Sequence, residues 1–186
     1  MYQELLRDAR LYRLLLRIDE DVAEEAQRRG CPCGGALHRG HFERKPRGGP
    51  EAGPEHAVRF SFCCGTEGCR RRMTPPSVRF LGRRVFLATV VLLAPVLRDG
   101  GGAERLRSVV GVSRRTVRRW QRWWREGFTQ SRVWLGVRAR LARPVASETL
   151  PGSLLSAVVG SDAGEEVVAV LRLLGPLTAG RGAHAC

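Results

Sequence analysis

Between residues 111 and 128 the chain reads GVSRRTVRRWQRWWREGF, and its apolar and charged positions separate at helical spacing. Val117, Trp120, Trp124 and Phe128 fall on one stripe, whereas Arg115, Arg118, Arg119 and Arg122 recur at i, i+3, i+4 and i+7 on another. The pattern predicts a helix with an aromatic back and an arginine front. Upstream, residues 85–97 are the longest uncharged apolar run and predict a buried helix, and residues 103–110 predict a second one. Gly111 then supplies a turn that tolerates positive φ, and Ser113 stands where an N-cap belongs. Three short helices in this order, the third exposed, predict a helix-turn-helix domain whose small core is Leu106, Val110, Val112, Val117 and Trp120. Trp123 lies off the stripe and is expected to cover a neighbouring domain or subunit.

The rest of the chain divides by the same criterion. Residues 2–29 predict one long helix whose apolar face drifts through Leu5, Ala9, Tyr12, Leu16, Asp19, Val22, Ala23 and Ala26. Its acidic patch, residues 19–25, is expected to face water. Residues 36–45 and 57–62 predict two strands joined by the Gly- and Pro-rich residues 46–55. Residues 150–159 and 165–174 predict short apolar helices, and residues 175–186 a loose tail ending in a free thiol at Cys186. The expected fold is mostly α with a small β zinc ribbon. Its parts are an N-terminal amphipathic helix (1–29), a ribbon and basic linker (30–80), a helix-turn-helix domain with an extended third helix (81–143), and C-terminal short helices with a tail (144–186).

Five of the six cysteines lie between residues 31 and 69, as Cys31-Pro-Cys33-Gly-Gly and then Cys63-Cys64 with Cys69. Two thiolate pairs on glycine-containing turns suit a tetrahedral Zn²⁺, with Cys31, Cys33, Cys64 and Cys69 as ligands. Cys63 is the alternative to Cys64, and His38 and His41 are nearby substitutes, though a histidine in such a hairpin more often faces solvent. No adjacent general base marks a catalytic zinc, so the metal is expected to contribute folding energy.

Charge sharpens the picture. The chain carries a formal net charge of +14, and the excess sits in the middle: residues 98–143 hold thirteen arginines against three carboxylates. A polyanionic partner follows. Ser113, Arg114, Arg115, Arg118, Arg119 and Arg122 are the candidates for entering a major groove, and Arg70, Arg71 and Arg72 for phosphate contact. The uncharged run at 85–97 is too short for a bilayer and contains Pro95, and the N-terminus is charged throughout. A cytoplasmic, nucleoid-associated protein with no membrane partner is expected.

The order of parts resembles the DNA-binding portion of bacterial insertion-sequence transposases and of their small accessory repressors. The resemblance spans about residues 30–130 and rests on Cys31-Pro-Cys33-Gly-Gly35, on Cys64 through Cys69, and on Gly111-Val-Ser113 with Thr116-Val117 and Trp120. It implies a ribbon and a helix-turn-helix that together bind element ends or a promoter, with a homodimer or a transposase as protein partner. One position departs from the pattern: Arg107 stands four residues before the turn glycine, where a small residue is usual. The resemblance does not extend to a nuclease, because after residue 143 only Glu148, Asp162, Glu165 and Glu166 remain to hold the metal ions of phosphoryl transfer. A DNA-binding protein that is not an enzyme is therefore expected. The alternatives are a DNA-cleaving or DNA-joining transposase fragment, and an RNA-binding or polymerase-associated ribbon module.

Overall fold

In a computed structural model, which describes residues 1–50, 53–81, 84–99, 103–141 and 143–179, the chain is mostly helical with small antiparallel sheets. The single N-terminal helix expected over residues 2–29 is instead two: α1 (Tyr2–Leu5) and α2 (Ala9–Arg29). The break has a local cause. Asp8 leaves helical geometry at ψ 101 and its carboxylate accepts the Arg10 backbone N–H at 2.7 Å, which caps a new helix. The kink turns Leu6 inward, 1% exposed.

The expected hairpin forms, but it is interrupted. β1 (Leu37–Arg39) pairs with β4 (Phe62–Cys64), while β2 (Phe42–Glu43) pairs with β3 (Val58–Arg59). Between the two pairings the His41 ring fills the gap, with Nδ1 2.8 Å from the Ser61 carbonyl and 3.2 Å from its N–H. A further strand, β5 (Arg72–Met73), joins β4 to make a three-stranded sheet in the order β1-β4-β5. The sequence pattern gave no sign of β5, because it is only two residues long and begins at the last of three adjacent arginines.

Helices α3 (Ala88–Asp99), α4 (Ala103–Val110), α5 (Arg114–Arg122), α6 (Arg132–Arg138), α7 (Gly152–Ala157) and α8 (Ala163–Leu174) build the remainder, and α5 runs on through a π-helical turn, Trp123–Phe128. Arg107 lies within α4, but its side chain falls outside the described residues, as do residues 180–186 with Cys186. The start of the expected loose tail is instead ordered: Gly175–Leu177 form a 3-10 turn, and Thr178 is buried with its Oγ1 accepting the Ser77 N–H at 2.7 Å. A large core unites α1, the first half of α2 and helices α3 to α8 around α3, in which Val90, Val91, Leu92, Leu93 and Ala94 are wholly buried. A helix apolar on every side belongs at the centre of a body. The expected small core of Leu106, Val110, Val112, Val117 and Trp120 is part of it, each residue 7% exposed or less. A second, smaller core holds Ala23, Cys31, Leu37, Phe62 and Cys64.

Pro95 explains one contact that helical spacing alone does not. A proline inside α3 has no N–H to give the carbonyl four residues back, which is Val91. That carbonyl is taken instead by the Trp124 indole, whose Nε1 donates to Val91 O at 3.1 Å. The tryptophan is thus both a large apolar filler and the hydrogen-bond substitute for a missing helical amide, and it packs edge-on against Phe128 at 4.9 Å.

Between the two cores runs a buried polar seam. Asp19, expected in solvent with its acidic neighbours, is 1% exposed. Its carboxylate accepts Ser77 Oγ at 2.5 Å, the Val78 N–H at 2.7 Å and Arg79 Nε at 2.8 Å. A charge is stable there because each oxygen has a donor and the guanidinium is its counterion.

Two stability measurements follow. In urea denaturation, Asp19→Ala should cost about 3–5 kcal/mol, since it strands a buried guanidinium, whereas Glu25→Ala, which removes exposed pairs to Arg28 and Arg29, should cost less than about 1 kcal/mol. Trp124→Phe should cost about 1–3 kcal/mol for the orphaned carbonyl in addition to lost packing. In a Pro95→Ala background, where the helical amide returns, the same substitution should cost about 1 kcal/mol less; equal costs in both backgrounds would refute the substitution of one donor for the other.

Candidate metal centre and basic helix face

Two turns bring four thiols together. α2 ends at Gly30 with φ 75, after which Cys31 N–H donates to Gly35 O at 3.0 Å and Gly34 N–H returns to Cys31 O at 2.8 Å. Gly34 sits at φ 83, a conformation that a side chain would strain. The second turn leaves β4 at Cys64, whose sulfur accepts the Thr66 N–H at 3.4 Å, and closes when Cys69 N–H donates to Thr66 O at 3.1 Å, with Gly68 at φ 80. Arg70 follows at φ 41, the one described non-glycine residue with positive φ. The first of the three arginines is thereby bent away by the turn that presents Cys69.

The sulfurs of Cys31 and Cys69 are 3.7 Å apart, those of Cys33 and Cys64 3.5 Å, and all four lie within 4.8 Å of one another. Four sulfurs at about 2.3 Å from a tetrahedral ion stand about 3.8 Å apart, so the cage has the right size for a thiolate-bound cation. It is the only group of three or more potential metal ligands among the described residues. Cys63 belongs to the opposite side of β4, where a Cβ on Gly40 would lie 3.1 Å from its sulfur. His38 and His41 stand outside the quartet: His38 is exposed on β1, and His41 packs edge-on to Phe60 and Phe62.

The thiols differ in acidity. The Gly35 backbone N–H, followed by the surrounding thiols, pulls Cys33 down to about 6. At Cys31 the Cys33 backbone N–H favours the thiolate, but burial and hydrogen bonding among the thiols outweigh it and push the group up to about 12. Thiols this close share one negative charge readily and four with difficulty, unless a cation stands among them.

On α5 the two faces separate as the sequence pattern requires. Val117, Trp120, Trp124 and Phe128 are 3% exposed or less, while Arg114, Arg115, Arg118, Arg119 and Arg122 are exposed. Gly111 takes φ 64, and Ser113 Oγ accepts the Thr116 N–H at 3.2 Å as N-cap. Trp123 is half-buried, stacked under the Arg84 guanidinium at 4.0 Å. Sequence reasoning missed Arg84. Burial first, and then the nearby Arg119, lowers its pKa, but a guanidinium stays protonated at neutral pH and so still adds positive charge beside the α5 face. Arg70 and Arg71 are exposed, while Arg72 is drawn back, donating to Gly40 O at 3.4 Å.

Three of the four late carboxylates have other occupations. Asp162 caps α8 by accepting the Glu165 N–H at 2.9 Å, Glu165 accepts the Ser161 N–H and hydroxyl, and Glu166 accepts the Tyr2 hydroxyl at 2.8 Å. No helix among the described residues is long and apolar enough to cross a membrane. No family model, curated protein or solved structure matches the chain.

Gly35 gives a test of the thiol cage. A Cβ there would lie 2.8 Å from the Cys64 sulfur, whereas one on Gly68 meets nothing within 4 Å. Gly35→Ala should weaken divalent-metal retention against a chromophoric chelator about tenfold or more. Gly68→Ala, which adds only backbone strain of about 1 kcal/mol, should weaken it less.

Proposed function

We propose that this chain is a sequence-specific duplex-DNA-binding protein with a structural Zn²⁺, acting as a transposase-like accessory factor or a transcriptional regulator. The observation that carries the proposal is α5: an exposed row of five arginines on a helix whose opposite side is sealed into the core. Helix α4, the three residues 111–113 and capped α5 form the helix-turn-helix unit, with α5 as the helix that enters the major groove. Arginine suits that position because it can bind guanine bidentately or hold a phosphate. Zinc is the natural occupant of an all-cysteine tetrahedral cage, and its role here is to hold the sheet rather than to react, because four sulfurs already complete a tetrahedral shell and no fifth potential ligand joins them among the described residues.

Other arrangements favour this proposal over its competitors. Single-stranded RNA binding through the tryptophans needs an open aromatic platform, yet Trp120 and Trp124 are buried and Trp123 is covered by Arg84. Strand cleavage needs convergent carboxylates around metal ions, yet Asp162 and Glu165 cap a helix and Glu166 holds Tyr2.

The test is selection from random duplex DNA with and without a chelator, followed by binding to the selected site across a salt series. Purified protein should carry one zinc per chain, and Co²⁺ in its place should give the thiolate charge-transfer bands of a tetrahedral S₄ site. If about six arginines neutralise phosphates, log K should fall against log salt with a slope near −5. Arg118→Ala with Arg122→Ala should flatten that slope by about 2 units. Absence of metal, or equal affinity for every duplex and for single-stranded RNA, would overturn the assignment.

A further inference from the structure

A wide apolar groove of about 700 Å³ lies between α6 and the α7–α8 pair. Its floor includes Val133 and Leu173, and Val159 beside it is 91% exposed. Arg132, Arg140 and Arg172 line the rim, no carboxylate lines it, and none of the three arginines makes an ion pair among the described residues. Apolar floors with unpaired cationic rims suit a ligand that is apolar on one side and anionic on its flanks.

Gly136 adds an independent observation. It lies in the middle of α6 and lines the groove, and a Cβ placed on it meets nothing within 4 Å. Glycine weakens a helix relative to alanine, and no contact among the described residues requires it at that position. A bare backbone on a groove-facing helix does permit another helix to approach closely.

We propose that this groove docks an acidic amphipathic helix of a protein partner, laid across α6 at Gly136 with its carboxylates between Arg132, Arg140 and Arg172. A second copy of the chain is a poor occupant, because a two-fold interface sets each rim arginine patch against its own duplicate. The site is separate from the α5 face and does not depend on nucleic-acid binding.

The probe is a fluorescent designed helix with leucines on one face and glutamates on the flanks, titrated into the full chain and followed by anisotropy. A lysine-for-glutamate version of the same helix and a medium-chain fatty acid are the comparisons. The acidic helix should bind at least tenfold more tightly than the basic one, and the fatty acid should not displace it. Gly136→Trp, which fills the groove from a position with open space above it, should lower affinity at least tenfold with an unchanged melting curve and unchanged DNA affinity. Arg140→Glu with Arg172→Glu should reverse the preference between the two helices. Failure of the acidic helix to bind, binding indifferent to Gly136→Trp, displacement by the fatty acid, or dimerisation lost in Gly136→Trp would each overturn the proposal.

Discussion

The carboxylate of Asp19 is the joint on which the architecture turns. α2 passes through both cores, with Leu11, Tyr12, Leu15 and Ile18 in the helical one and Ala23 in the cysteine-bearing one, and Asp19 sits between. From there the hydrogen bonds spread. Arg79, held by Asp19, donates to the carbonyls of His56 at 2.9 Å and Val58 at 2.8 Å, which fixes the approach to β3. Arg59 on β3 donates to the carbonyls of Pro75 and Thr178, and Thr178 Oγ1 in turn accepts the Ser77 N–H at 2.7 Å. One buried anion thus organises segments from four distant parts of the chain. Two buried guanidiniums against one carboxylate leave an excess of positive charge, and backbone carbonyls offset it. The strain shows at Arg59, where burial above all, and then Arg79 and Arg44 against the opposing pull of Asp19, lowers the pKa to about 10. Apolar residues could fill this space at comparable stability, but they would not specify which strand meets which loop.

That seam also marks the limit of what was legible in the sequence. Local patterns located α5, its Ser113 cap and the Gly111 turn, because capping and amphipathicity act within a few residues. They located Cys31, Cys33, Cys64 and Cys69 for the same reason: each pair belongs to one turn. Asp19 and Arg79 are sixty residues apart, and nothing near either announces the other. One clue existed. Asp19 lies on the apolar face of α2, and a carboxylate on such a face needs a buried partner. The break before α2 was hidden because Leu5 and Ala9 keep helical spacing across Asp8, whereas the cap formed by that residue decides the matter.

The arginines therefore fall into two populations that composition cannot separate. Arg59 and Arg79 are interior hydrogen-bond donors, Arg98 donates to Gln121 at 2.5 Å to tie α3 to α5, and Arg84 stacks on Trp123. All count toward the net charge of +14, and under the proposed reading the exposed arginines of α5, with Arg70 and Arg71, are the ones that meet a phosphate backbone. Under the proposed reading the long-range field of the whole chain steers a polyanion, while contact geometry belongs to the exposed few.

The two candidate centres are joined through the same chemistry. Arg44, one residue beyond β2, donates to the Arg84 carbonyl at 2.9 Å, and the Arg84 guanidinium covers Trp123 on the extension of α5. A displacement of the cysteine sheet would reach α5 through three side chains, because β2, which Arg44 directly follows, and β4, which carries Cys64, belong to one interrupted hairpin. Under the proposed reading the metal then has a task beyond holding its own turns: it fixes the strand that positions Arg84 beside Arg119. The basic face would be assembled by the thiol cage as well as by the helix that displays it, which accounts for both features occurring in a chain of this size.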